Sequence, residues 1–89
     1  MEEKLNYQFE DGSELKITLG EDGYTVNVID LNNPLIGTFT NFENLLYGIA
    51  PLLQAKIDSM VEMECFAMAL NENFDTTLSD AEILEIIMK

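Results

Sequence analysis

Leu5-Asn6-Tyr7-Gln8-Phe9-Glu10-Asp11-Gly12-Ser13-Glu14-Leu15-Lys16-Ile17-Thr18-Leu19 alternates apolar and polar side chains through two runs separated by a turn. In an extended chain successive side chains point to opposite faces. Leu5, Tyr7 and Phe9 therefore share one face, with Asn6, Gln8 and Glu10 on the other. Leu15, Ile17 and Leu19 repeat the pattern against Glu14, Lys16 and Thr18. Asp11-Gly12 between them is a two-residue hairpin signal, because Gly adopts a positive φ without strain. Gly20-Glu21-Asp22-Gly23 forms a second turn, after which Tyr24, Val26 and Val28 alternate with Thr25 and Asn27. The pattern predicts a three-stranded antiparallel β-meander with one buried face.

Outward from that core, Asn32-Asn33-Pro34 closes the third strand. Leu35 to Phe39 adds a short fourth strand at an edge, where Pro34 need not donate to a ladder. From Asn41 the apolar period changes to 3.6. Thr40 with Glu43 matches a capping box, in which each side chain satisfies a free backbone donor at a helix start. Phe42, Leu45, Leu46, Ile49, Leu53, Ile57, Met60 and Ala67 lie within about 60° of one helix face. Pro51, Asp58 and Glu62 fall on the opposite face. One long helix kinked at Pro51 is the expectation; the alternative is a break near Gly48, with Pro51 opening a second helix. Ser79 and Glu82 form another capping-box pair ahead of Ile83, Leu84, Ile86 and Ile87, a short last helix. The fold class is α+β: a three- to four-stranded N-terminal β-meander, then a long kinked helix and a short C-terminal helix packed on one sheet face. Residues 1–89 form a single acidic domain with an expected radius of gyration of roughly 12 Å.

The chain carries seventeen Asp and Glu against four Lys (Lys4, Lys16, Lys56 and Lys89), a net charge of −13 on 89 residues. Apolar residues make up 47% of it, too many for the disordered acidic class. The charge thus belongs to a folded scaffold. Its field repels nucleic acid and anionic membrane and attracts basic protein surfaces.

Absent residue types remove much chemistry. With no His and no Arg there is no imidazole base, no Ser-His or Cys-His nucleophile pair and no bidentate phosphate clamp. The five Gly are scattered singly, so no phosphate-cradling loop forms. The expectation is a protein that is not an enzyme and uses no cofactor. Cys65 stands alone, a thiol partly buried on a helix, which suits a reducing compartment. Met1-Glu2-Glu3-Lys4 lacks the apolar core of a secretory leader, and the longest near-apolar stretch, Leu45 to Leu53, is about half a membrane span. A cytoplasmic protein is expected.

Function is expected in distributed charge. Glu10, Asp11 and Glu14 cluster at the first hairpin, Glu21 and Asp22 at the second turn, and Asp58 and Glu62 at i,i+4 on the long helix. These seven are the candidate partner-binding residues, each facing Lys or Arg of a basic partner. Duplex DNA holds on the order of 18 charges in 30 Å of axis, a density comparable with this chain's. In charge and length the chain resembles the small acidic inhibitors that phages and mobile elements direct against restriction or CRISPR nucleases. That resemblance implies a nucleic-acid mimic blocking a basic nucleic-acid-binding enzyme. The alternatives are an acidic immunity protein or antitoxin for a basic toxin, and a homodimeric structural or regulatory domain.

Asn71 to Glu82 resembles an EF-hand calcium loop, with Asn71, Asn73, Asp75, Thr77, Ser79 and Glu82 at the six ligand positions. It departs from that family at Asn71, where Asp is usual, and at Thr76, where the turn wants Gly. A helix–helix connection in which Ser79 and Glu82 cap the next helix accounts for the same residues, and no metal is expected. Met60, Met63 and Met68 around Phe66 read as core filling, the alternative being an adaptable binding face, and Tyr47 as an exposed aromatic available to an interface.

Overall fold

The computed structural model describes residues 2–30 and 36–89. Four strands, β1 (Glu2–Gln8), β2 (Glu14–Gly20), β3 (Gly23–Ile29) and β4 (Ile36–Phe39), form one antiparallel sheet in the order β1-β2-β3-β4. Three helices follow: α1 (Phe42–Lys56), α2 (Met60–Asn73) and α3 (Asp80–Ile87). The fold is α+β with an N-terminal meander. The expected closing turn at Asn32-Asn33-Pro34, and Leu35 at the head of the fourth strand, lie outside the described residues. The Cα radius of gyration is 12.0 Å.

The period-two residues do what their spacing requires. Leu15, Ile17 and Val26 are wholly buried, and Leu5, Phe9 and Val28 nearly so. Each large apolar side chain removed from water contributes about 1.5–3 kcal/mol, which pins the register because a one-residue slip would expose the whole set. Tyr7 pairs with Leu15 and Leu15 with Val28. A bulge between Glu3 and Leu5 shifts the register near the start of β1.

The first turn differs in detail from the two-residue reading at Asp11-Gly12. Gln8 pairs with Glu14, and Phe9 N–H donates to Ser13 O at 2.9 Å, so the first loop holds three residues, Glu10-Asp11-Gly12. Gly12 N–H donates to Phe9 O at 3.0 Å and Gly12 takes φ +91°. That is a turn followed by a left-handed glycine, the usual three-residue hairpin. The Asp11 carboxylate accepts from Ser13 N–H at 2.9 Å and closes the loop locally. In the second turn Gly20 pairs with Gly23, which takes φ +121°. A Cβ on Gly23 would lie 2.3 Å from the Phe39 carbonyl oxygen, so both conformation and space demand glycine there.

The helical half corrects the expected long kinked helix. α1 runs unbroken through Pro51, which is exposed, and ends instead at Lys56. Gly48 stays helical; its missing side chain leaves room for the Phe39 ring, which a Cβ would meet at 2.3 Å. Ile57 is extended with its N–H on Leu53 O at 2.8 Å, and Ser59 caps α2 by accepting from Glu62 N–H. The break re-phases the apolar stripe. Met63, Phe66, Ala67 and Leu70 now face the core, while Met60, in line with the α1 stripe, is 51% exposed.

The α1 cap also moves: Asn41, not Thr40, accepts from Asn44 N–H, at 2.8 Å. The expected capping box of α3 forms in full, with Glu82 N–H on Ser79 Oγ at 3.2 Å and Ser79 N–H on Glu82 Oε1 at 3.1 Å. Sheet contacts come chiefly from α1 on β4 and α2 on β1, and α3 lies against α1 and α2. Ile83 and Ile87 of α3 are wholly buried in that helical layer.

Candidate partner-binding surface

A meander places successive turns at opposite ends of its sheet, and this divides the predicted carboxylates. Glu10, Asp11 and Glu14 stand at the β1–β2 end. Glu21 and Asp22 stand at the other, the seven residues of β2 away, about 20 Å. All but Glu14, which is half-buried, are exposed. The hairpin acids are thus two patches.

The β1–β2 end collects further charge from the helices. Lys56 reaches it from the end of α1, donating to Asp11 Oδ2 at 2.7 Å and to the Asp30 carboxylate, with its side chain only 4% exposed. Its ammonium sits 5.8 Å from the centroid of the Phe9 ring. The hydrogen bonds from Lys56 and then Ser13 hold the Asp11 carboxyl well below the usual carboxylate range, and the same contacts to Asp11 and Asp30 raise the Lys56 ammonium above its ordinary value. Asp11 is therefore partly committed inside the protein. The two carboxylates that Lys56 meets lie 45 and 26 positions away in the chain.

Asp58 and Glu62 do not share a helix face. Asp58 stands exposed in the break between α1 and α2, and Glu62 lies in the first turn of α2. Glu62 Oε1 accepts from the Tyr7 hydroxyl at 3.1 Å. Burial, then that hydrogen bond, pushes the Tyr7 phenol up to about 12. The Tyr7 ring meets Phe66 edge-on at 4.7 Å and Phe9 at 5.3 Å, which fixes α2 on β1. Five predicted residues (Glu10, Asp11, Glu14, Asp58 and Glu62) thus belong to elements meeting at one end. Asp30 and Tyr7 join them there. Sequence reading passed over both, since neither has a local partner.

The calcium-like segment folds differently. Asn71 and Asn73 lie in the last turn of α2 and not in a loop. The Asn71 side-chain amide donates to Leu78 O at 3.2 Å and Asp80 Oδ1 at 2.7 Å, and Asn73 donates to Ala69 O at 2.7 Å. Among the described residues no non-glycine takes a positive φ, so Thr76 does not make the sharp turn that an EF-hand loop needs. No group of three or more His, Cys, Asp or Glu among them is placed to hold a metal ion.

Apolar side chains also reach the surface. Met63 and Phe66 are core, as expected, but Met60 and Met68 are half-exposed, together with Met88 and Tyr47, and Val61 is largely exposed. Cys65 is exposed, in place of the partly buried thiol expected. No helix of the described residues is long and apolar enough to cross a membrane. No family model, curated protein or solved structure matches the chain.

Proposed function

We propose that this chain is a non-catalytic binding domain whose carboxylates dock on a basic protein surface. In its most specific form it fills the nucleic-acid channel of a basic enzyme, carboxylates standing where phosphates would lie. The observation that carries the reading is the balance of charge on the folded surface. Of four cations, Lys56 is buried against Asp11 and Asp30, and Lys4 is paired with Glu2 at 2.7 Å. Lys16 and Lys89 are left against the other fourteen Asp and Glu, and the chain carries −13 overall. The body measures 33 × 31 × 19 Å. A duplex of that length carries on the order of 19 charges, a comparable field, and an incoming basic surface would release counterions in both cases.

The test is affinity capture from the source cell at low and high salt, followed by displacement. Salt-sensitive recovery of a nucleic-acid-binding enzyme, and loss of its nucleic acid on adding this protein, supports the proposal. Recovery of a basic toxin keeps the electrostatics and transfers the target to the immunity-protein alternative. Recovery of nothing but the chain itself overturns both.

A further inference from the structure

We propose that the seam between α2 and α3 is an anchoring groove for a short cationic amphipathic segment, whose apolar side chain enters the seam while flanking Lys or Arg meet its acidic rim. The proposal rests on the reading above and specifies which part of a basic partner is gripped. Two hollows lie along the seam. One, of about 270 Å³, is lined by Glu64, Ala67 and Met68 of α2 and Asp80, Ala81 and Leu84 of α3. The other, of about 150 Å³, lies at its end, where Ile57, Asp58 and Ser59 of the α1–α2 break meet Met60 and Met63 of α2 and Met88 just after α3. The start of α2 therefore meets the end of α3, and the helices run antiparallel with Met60 and Met68 facing one line and Leu84 and Met88 the other.

Packing does not account for this line. Met60, Met68 and Met88 are 51%, 48% and 43% exposed, whereas Met63 one turn away is buried. Unbranched thioethers adapt to differently shaped apolar guests, which suits a groove better than a finished core. The larger hollow, about 270 Å³, falls just below the range for small-molecule sites, roughly 300–1,000 Å³, and has room for one or two side chains.

Charge selects the occupant. Glu64, Asp80 and Asp58 border the two hollows, and no Lys is among the described residues lining them. An anionic peptide or membrane would be repelled. A second copy fits poorly, because it sets −13 against −13. The seam, eight residues long and one helix spacing wide, also offers only about 120 Å², against roughly 800 Å² per partner in a stable interface.

The probe is a synthetic 14-residue peptide with Leu on one helical face and Lys on the other, titrated into the full chain carrying ¹³C-labelled methionine methyls. A scrambled peptide of the same composition and an oligolysine of equal charge are the controls. The expected result is saturable shifts of the Met60, Met68 and Met88 methyls with the amphipathic peptide alone. Met68→Gln with Met88→Gln weakens that peptide at least tenfold and leaves oligolysine affinity unchanged. Both changes sit on half-exposed positions, and an unaltered amide spectrum checks the fold. Glu64→Gln flattens the salt dependence of the same titration.

Equal binding of all three peptides without methyl shifts overturns the groove and keeps the acidic-surface reading. No binding even of oligolysine overturns both. Equal binding of an acidic amphipathic peptide, or self-association that shifts these methyls without peptide, overturns the cationic occupant.

Discussion

Lys56 Nζ donates to Asp11 Oδ2 at 2.7 Å, joining the last residue of α1 to the β1–β2 turn across 45 residues of chain. In a protein with four cations, one is spent inside, where it also meets Asp30 beyond the end of β3. Its ammonium lies 5.8 Å from the Phe9 ring centroid and its side chain is only 4% exposed, so an apolar stem is removed from water while the tip is ionic. This end of the molecule is consequently braced, and the carboxylates around it are held on a fixed frame.

Lys56→Met keeps the apolar stem and removes the ammonium. Thermal melting followed by circular dichroism should give a Tm lowered by about 5 °C, the shift of a roughly 1 kcal/mol loss in a domain this small. Lys89→Met is the control and should leave Tm within about a degree. An unchanged melt for Lys56→Met would mean that the stem alone matters.

The lowered Asp11 carboxyl gives a signed acid dependence. Between its folded and ordinary values the unfolded chain binds more protons, so stability falls as the pH is lowered through that window. The wild type should therefore exceed Asp11→Asn in stability at pH 7, and the gap should close as pH falls below about 4. In the Lys56→Met background the gap should shrink at every pH, since the largest cause of the shift is gone. Parallel urea titrations across pH measure it; a gap that widens in acid contradicts the assignment.

Tyr7 supplies the alkaline counterpart. Its phenol is raised from 10.0 to about 12, so the folded state holds a proton that the unfolded chain has lost, and stability declines between those values. Tyr7→Phe keeps the ring against Phe66 and Phe9, removes that decline, and should cost about 1 kcal/mol at neutral pH through the hydrogen bond to Glu62. Phenolate absorbance during an alkaline titration reads the group directly, and a wild-type spectrum lacking any late-titrating tyrosine would refute it.

Glycine is needed unequally at the two hairpins. Gly23→Ala meets both a positive φ and the Phe39 carbonyl oxygen at 2.3 Å, and should cost about 3 kcal/mol or more. Gly12→Ala has open space around it and should cost only about 1–2 kcal/mol for its left-handed backbone. Denaturant midpoints rank the two variants, and the reverse order would contradict the close approach of β4 to the second turn.

The division of the acidic residues makes a binding prediction. Neutralising Glu10, Glu14 and Glu62 should reduce capture of a basic partner by about tenfold, on the order of three surface charge pairs at 0.5 kcal/mol each. Neutralising Glu21 and Asp22, at the far end of β2, should have a smaller effect when one patch is used, and an equal one when the partner spans both. Retained capture in both variants would remove the electrostatic basis of the proposed function.

How far these features could be read in advance depended on their range. The meander was legible because Leu5 to Val28 alternate at period two, and burial of one face enforces that period. Ser79 and Glu82 announced α3 because a capping box is complete within four residues. The break at 57–59 carried the same kind of signal, Ser59 with Glu62, but Ile57 and Met60 continue the α1 stripe and concealed it. The second half of that box is not made in the usual way either, because the Glu62 carboxylate is engaged by Tyr7, 55 residues away.

From residue order alone came the strands, the helical half, the acidic excess and the exclusion of imidazole and guanidinium chemistry, all consequences of near-neighbour geometry or simple composition. Docking of the helices on the sheet decided the rest: that Lys56 is buried, that Glu62 joins the β1–β2 end, and that three half-exposed methionines line an open seam. Backbone periodicity acts over a few residues, whereas an ion pair or a groove forms only where distant elements are brought within a few ångströms of each other.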